Sequence, residues 1–223
     1  MPTTSAYVAV FAVAVAATLG ATPAWRWVAV RLGVVAPVTD RAVHSRPVPY
    51  LGGLAMLSGF LAAFGVAWGF GGFGAVFETL TVPLGVALGA VILCGVGTLD
   101  DVRDVSAPAK TAGVVLAGSV MYVLGVSLLY FRLPFVDTLF VLGPDLAPLV
   151  SVLWVLGMAN AVNLIDGLDG LAAGIVAIAA GSFFLYGHKL ATADVAVLSP
   201  DNPSPLIAII VAGICLGFLP HNF

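Results

Sequence analysis

The chain has 223 residues, of which 61% are hydrophobic and only 9% charged, with a formal net charge of −3. An average soluble domain carries about 25% charged residues, so too few polar groups exist here to cover a water-exposed surface, and lipid must solvate much of the protein. The eight Lys and Arg form no dense basic tract, which sets nucleic-acid binding aside.

In chain order, apolar runs of about 20 residues, the length that crosses a hydrocarbon core, predict seven spans. They lie near 5–24, 51–70, 80–99, 110–130, 147–164, 169–187 and 205–220. The expected fold is therefore an all-α polytopic transmembrane helical bundle forming a single membrane domain over 1–223. The first run has no basic residue before it, so it reads as a retained span and not as a signal peptide. Cys94 and Cys215 fall inside apolar runs and read as buried free thiols.

After the first span comes a junction near 40–53, Asp40-Arg41-Ala42-Val43-His44-Ser45-Arg46-Pro47-Val48-Pro49-Tyr50-Leu51-Gly52-Gly53. Prolines hold such a loop extended, and paired glycines allow close approach of backbone or of a ligand. Arg41, His44 and Arg46 suit phosphate oxygens. A basic membrane anchor with a Pro-Gly turn accounts for the same residues.

The third span leads into a junction near 97–110 with Asp100, Asp101, Arg103, Asp104, Pro108 and Lys110. Adjacent carboxylates repel one another unless a cation stands beside them. Mg²⁺ is the natural candidate, because it bridges one or two carboxylates to substrate phosphates; Mn²⁺ is an alternative. A solvated acidic loop partly neutralised by Arg103 and Lys110 is the plainer account.

The fifth and sixth spans are separated by a third junction near 160–174, which holds Asn160, Asn163, Asp166 and Asp169. If helical, that spacing of three sets all four on one face. Two carboxylates and two amides without a cation are costly beside a membrane unless they are used. The chain stops at Leu219-Pro220-His221-Asn222-Phe223, where the seventh span emerges; a C-terminally truncated membrane domain is expected.

The basic residues set the orientation. Arg26, Arg31, Arg41, Arg46, Arg103 and Lys110 flank the odd-numbered junctions, against Arg132 and Lys189 on the other side. The positive-inside bias makes the odd junctions cytoplasmic and the N-terminus external. All three polar junctions then share the cytoplasmic face, which predicts one composite site of Asp100, Asp101, Asp166 and Asp169 with Arg and His nearby. Such a site at a bilayer surface suits phosphoryl transfer between a soluble donor and a lipid.

These residues resemble a known family. His44-Ser45-Arg46-Pro47-Val48-Pro49 with Gly52-Gly53-Leu54-Ala55-Met56, the Asp100-Asp101 pair and Asn160 through Gly174 are similar to the three cytoplasmic motifs of the polyprenyl-phosphate N-acetylhexosamine-1-phosphate transferases of glycosyltransferase family 4. The likeness covers roughly 40–175 and is stronger to the N-acetylglucosamine branch than to the muramoyl-pentapeptide branch.

The resemblance implies a bacterial inner (plasma) membrane enzyme of lipopolysaccharide or teichoic acid biosynthesis. It would transfer N-acetylglucosamine 1-phosphate from UDP-N-acetylglucosamine, or a similar UDP-sugar, to undecaprenyl phosphate with Mg²⁺, releasing UMP. It further implies Asp100 and Asp101 at the metal and lipid phosphate, with Asp100 the candidate base. His44 and Arg46 join Asn160, Asn163, Asp166 and Asp169 in binding substrate, with Asp169 the favoured uracil partner. Asn222 stands where the family has a Pro-x-Asn-Phe motif shaping the same pocket. Family members have about ten or eleven spans and a further metal-ligating Asp in a Met-Gly-Asp segment not found in this sequence, so the 223-residue form is expected to be inactive.

Two other classes fit parts of the sequence. Asp100, Asp101 and Asp104 spell the Asp-Asp-x-x-Asp magnesium pattern of polytopic aromatic prenyltransferases, and intramembrane carboxylates can serve a transporter.

Overall fold

The computed structural model describes residues 2–35, 49–69, 71–132, 135, 138–192 and 198–222. It is an all-α bundle in which each of the seven expected apolar segments is a helix: α1 (Thr4–Leu32), α2 (Gly52–Gly69), α4 (Thr81–Arg103), α5 (Ala107–Val123), α6 (Ala147–Ile165), α7 (Leu171–Thr192) and α8 (Ser204–Phe218). A short α3 (Gly74–Glu78) lies between α2 and α4, and a 3-10 turn, Leu219–His221, follows α8. Six of these segments are long and apolar enough to cross a membrane.

The seventh, α5, has 17 residues, at the lower limit for a span, and it ends before the expected 130. Apolar residues continue past its end, but Gly125 adopts φ 91 and Val126 N–H bonds back to Met121 O, closing the helix. Beyond it, β1 (Tyr130–Arg132) and β2 (Leu139–Val141) pair antiparallel, with Phe131 opposite Phe140.

Local signals set the helix ends. Thr3 caps α1, its side chain accepting from Ala6 N–H, and Gly33 at φ 70 terminates it. Pro108, Pro148 and Pro205 sit in the first turns of α5, α6 and α8, where a missing N–H costs nothing.

The core lies where α1, α2 and α8 meet and includes Tyr7, Val10, Ala14, Phe60, Phe64, Phe73, Ile210 and Cys215. Contact there is backbone-close. A Cβ at Gly59 would collide with the Thr18 side chain, and one at Gly213 would stand 2.7 Å from Ala14 Cβ. Small residues give helices in lipid their packing surface. Trp25 Nε1–H donates to Ser58 Oγ at 3.1 Å, joining the C-terminal half of α1 to the N-terminal half of α2.

Elsewhere α4 pairs with α5, α5 with α6, and α7 with α8, while α6 and α7 touch only slightly. Gly118 of α5 abuts Val152 of α6, and Gly187 of α7 abuts Pro205 of α8, so each pair is antiparallel. The C-terminal ends of α1, α4, α6 and α8 therefore share one end of the bundle with the N-terminal ends of α2, α5 and α7. Many large apolar side chains face outward, among them Trp27, Leu88, Leu153, Ile178 and Phe183, as a lipid-solvated surface requires.

Candidate functional site

The second and third polar junctions and the described end of the first, residues 49–53, lie at that one end. The second is the best ordered by polar contacts. Helix α4 runs on to Arg103, and Asp104 leaves it at φ 50 with its N–H on Asp100 O. The Asp100 carboxylate turns toward the start of α5: Oδ1 accepts from Val105 N–H at 3.1 Å, and Oδ2 stands 2.6 Å from Lys110 Nζ. Lys110 thus neutralises one member of the acidic pair, as the plainer account anticipated. Asp104 lies past the helix end, so Asp100, Asp101 and Asp104 do not share a helical face as an Asp-Asp-x-x-Asp metal site needs.

Asp101 faces another neighbour. Its Oδ2 accepts from the backbone N–H of Leu51 at 3.3 Å, across fifty residues of sequence. Leu51 adopts φ 72 although it is not glycine, and its side chain is buried. The start of α2 is thereby tied to the end of α4. Gly52 and Gly53 serve backbone packing at this point: a Cβ on Gly52 would stand 2.8 Å from the Phe218 ring, and one on Gly53 3.8 Å from Cys94 Sγ. Below the tie, an apolar groove of about 300 Å³ opens between α2, α4, α5 and α8, lined by Gly53, Met56, Leu93, Cys94, Met121 and Ile214 among others.

His44 and Arg46, with Arg41 and Asp40, lie outside the described residues. In the third junction the chain is not helical throughout, so the single stripe that a continuous helix would give is not formed. Helix α6 stops at Ile165; Asp166 caps it with φ −80 and ψ 57, and residues 166–170 make a turn that closes on Gly170 at φ 71. Gly167 and Gly170 flanking the acids favour this turn over helix continuation. Asn160 and Asn163 are on α6 and Asp166 and Asp169 on the turn, all four exposed. Asn160 Nδ2 donates to Leu156 O at 2.8 Å. Asn222 follows the 3-10 turn after α8, at the same end of the bundle, its N–H on Leu219 O at 3.0 Å.

Among the described residues no three His, Cys, Asp or Glu side chains form a metal-holding group. Asp100 and Asp101 present only carboxylate oxygens, the donor type a small hard cation takes, and Mg²⁺ commonly completes its shell with substrate phosphate and water. In donor type the pair could contribute to such a site. The Leu51 amide is a site group that no side chain in the sequence announces.

The family profile described as glycosyl transferase family 4 matches residues 83–223. A Mycobacterium tuberculosis protein named decaprenyl-phosphate N-acetylglucosaminephosphotransferase is 38% identical over 213 residues, covering 92% of this chain and 51% of the relative. A Bacillus subtilis protein named probable undecaprenyl-phosphate N-acetylglucosaminyl 1-phosphate transferase is 34% identical over 217 residues, 97% of this chain and 55% of its own length. An Enterococcus faecalis phospho-N-acetylmuramoyl-pentapeptide-transferase is 31% identical over 164 residues, 67% of this chain and 47% of its own. The chain spans about half the length of the curated relatives it matches.

Proposed function

Because this chain belongs to glycosyl transferase family 4, we propose that it serves the transfer of N-acetylglucosamine 1-phosphate, or a related amino-sugar phosphate, from a UDP-sugar to a polyprenyl phosphate. UMP is released, and the reaction lies at the cytoplasmic face of a bacterial plasma membrane. The observation that carries this reading is the bond from Leu51 N–H to Asp101 Oδ2, which ties the start of α2 to the acidic end of α4.

The chemistry asks for little proton abstraction. A phosphate monoester has its second ionisation near about 6, so the attacking lipid phosphate oxygen is largely ionised at neutral pH. Positioning then outweighs base strength. Asp100, beside Lys110 and the Val105 amide, is held in one orientation as the candidate base. Asp101 is held from the other side. Mg²⁺, carried by these two carboxylates, would neutralise the donor diphosphate. Asn163, Asp166, Asp169 and Asn222 would bind the nucleotide, with His44 and Arg46 as the anion-binding groups of the first junction. The apolar groove below Asp101 suits the first isoprene units of the acceptor.

Relatives in the N-acetylglucosamine branch carry both decaprenyl and undecaprenyl names, so acceptor length is part of the test. Membranes containing the full-length gene product are given radiolabelled UDP-N-acetylglucosamine, Mg²⁺ and either polyprenyl phosphate. Expected are an organic-extractable labelled lipid and UMP, with loss of about a hundredfold or more in Asp101→Asn. No labelled lipid, or full activity in the variant, would sink the proposal.

A further inference from the structure

Pro23 stands inside α1. A proline has no N–H, so the carbonyl four residues before it, that of Leu19, lacks its ordinary helical partner. His221 Nε2 lies 3.2 Å from that oxygen. A carbonyl only accepts, so Nε2 carries the proton in this contact.

The approach of the two helices is built for this contact. Gly213, Gly217 and His221 stand four apart, which places them along one side of α8 and its terminal turn. A Cβ at Gly213 would come 3.1 Å from Phe11 O, and one at Gly217 2.5 Å from Val15 O. Phe11, Val15 and Leu19 are themselves four apart on α1. The two glycines bring α8 onto the α1 backbone at successive turns. At the next turn the imidazole meets the one carbonyl in this row that proline has left open. Asn222 follows directly, its N–H on Leu219 O.

We infer that His221 is a positioning residue: its Nε2–H, bonded to the Leu19 carbonyl that Pro23 leaves unpaired, pins the end of α8 to α1 and fixes Asn222 at the edge of the nucleotide site. The role of Asn222 rests on the proposed transferase function; the bond and its hold on Asn222 do not. Gln and Asn separate the two ring nitrogens, because the Gln amide nitrogen reaches where Nε2 does and that of Asn only where Nδ1 does.

Solid-state NMR of the full-length gene product in lipid, with ¹⁵N-labelled histidine and asparagine, reads the geometry. Expected are an Nε2–H tautomer for His221 and an Asn222 side-chain amide signal that moves in His221→Asn but stays in His221→Gln. Kinetics read the consequence. His221→Asn should raise KM for the UDP-sugar about tenfold, the worth of one hydrogen bond. Its kcat and its KM for the polyprenyl phosphate should stay within about twofold, the pattern of lost uniform binding. His221→Gln should restore the donor KM. An Nδ1–H tautomer, an Asn222 signal indifferent to His221→Asn, or a donor KM that does not move overturns the inference. Absence of all transferase activity would instead refute the proposed function, and the NMR spectra would then decide the positioning role alone.

Discussion

Asp101 can be tested for two roles by two substitutions. Its Oδ2 takes the N–H of Leu51, and Leu51 is both buried and held at φ 72, a conformation that costs a non-glycine residue about 1–3 kcal/mol. Asp101→Ala leaves that amide without an acceptor in a half-buried place, a penalty of about 1–3 kcal/mol. Asp101→Asn keeps an acceptor oxygen and exchanges a charged hydrogen bond for a neutral one, a loss of about 1 kcal/mol. Relief of repulsion from the neighbouring Asp100 offsets part of that loss. The Asn variant should therefore unfold within about 1 kcal/mol of wild type, and the Ala variant distinctly earlier. Unfolding followed by tryptophan fluorescence in detergent measures this, alongside labelled-lipid formation by the full-length gene product. Both variants should be inactive. Equal destabilisation by Asn and Ala would show that the charge, and not the acceptor, holds the junction; an active Asn variant would remove Asp101 from the chemistry.

Asp166 sits at the C-terminal cap of α6, where a negative charge opposes the helix dipole by about 0.3–1 kcal/mol. Asp166→Asn should then raise stability slightly while raising the UDP-sugar KM, and a fall in stability would contradict the dipole argument. Lys110→Met breaks a pair whose partners are 42% and 30% exposed, so it should cost under about 1 kcal/mol in the same unfolding assay. Gly217→Ala places a Cβ 2.5 Å from Val15 O; overpacking of about 1–3 kcal/mol outweighs the gain of about 1 kcal/mol in helix propensity, and unfolding should come earlier. Gly181→Ala on α7 meets nothing within 4 Å and should be neutral or stabilising.

Hydropathy located the seven longer helices, α3 apart, because lipid solvation demands a long apolar run of each. It misjudged their ends for different reasons. Helix α1 continues through Trp25, Arg26 and Arg31 to Leu32, since backbone hydrogen bonding does not require apolar side chains once the helix leaves the hydrocarbon. Helix α5 stops at Val123 although apolar residues continue, because Gly125 at φ 91 turns the chain. At the candidate site, residue type and spacing singled out Asp100, Asp101 and Asp166 as candidates, but carried nothing of their local geometry. The interval between Asp166 and Asp169 is compatible with a helix, and the glycines beside them decide for a turn. The Leu51 amide could not be read at all, since a backbone donor leaves no mark in the side-chain sequence.

The physical ties between the junctions are unequal, and this bears on how the site works. The start of α2 is fixed twice, by Leu51 N–H on Asp101 and by Gly52 packed on the Phe218 ring. Through Phe218 it is joined to the end of α8, which His221 holds on α1. The start of α2, the end of α4 and Asn222 are thus one mechanically connected set. The turn 166–170 is attached differently: α6 leans on α5, α7 leans on α8, and the two barely meet. Asp166 and Asp169 therefore stand on a turn whose two flanking helices contact one another little. A conformational response to a bound nucleotide should accordingly be concentrated at 166–170, where amide hydrogen exchange should slow on adding a UDP-sugar, with little change at 51–53. Equal slowing at both places would mean that the junctions move as a single body.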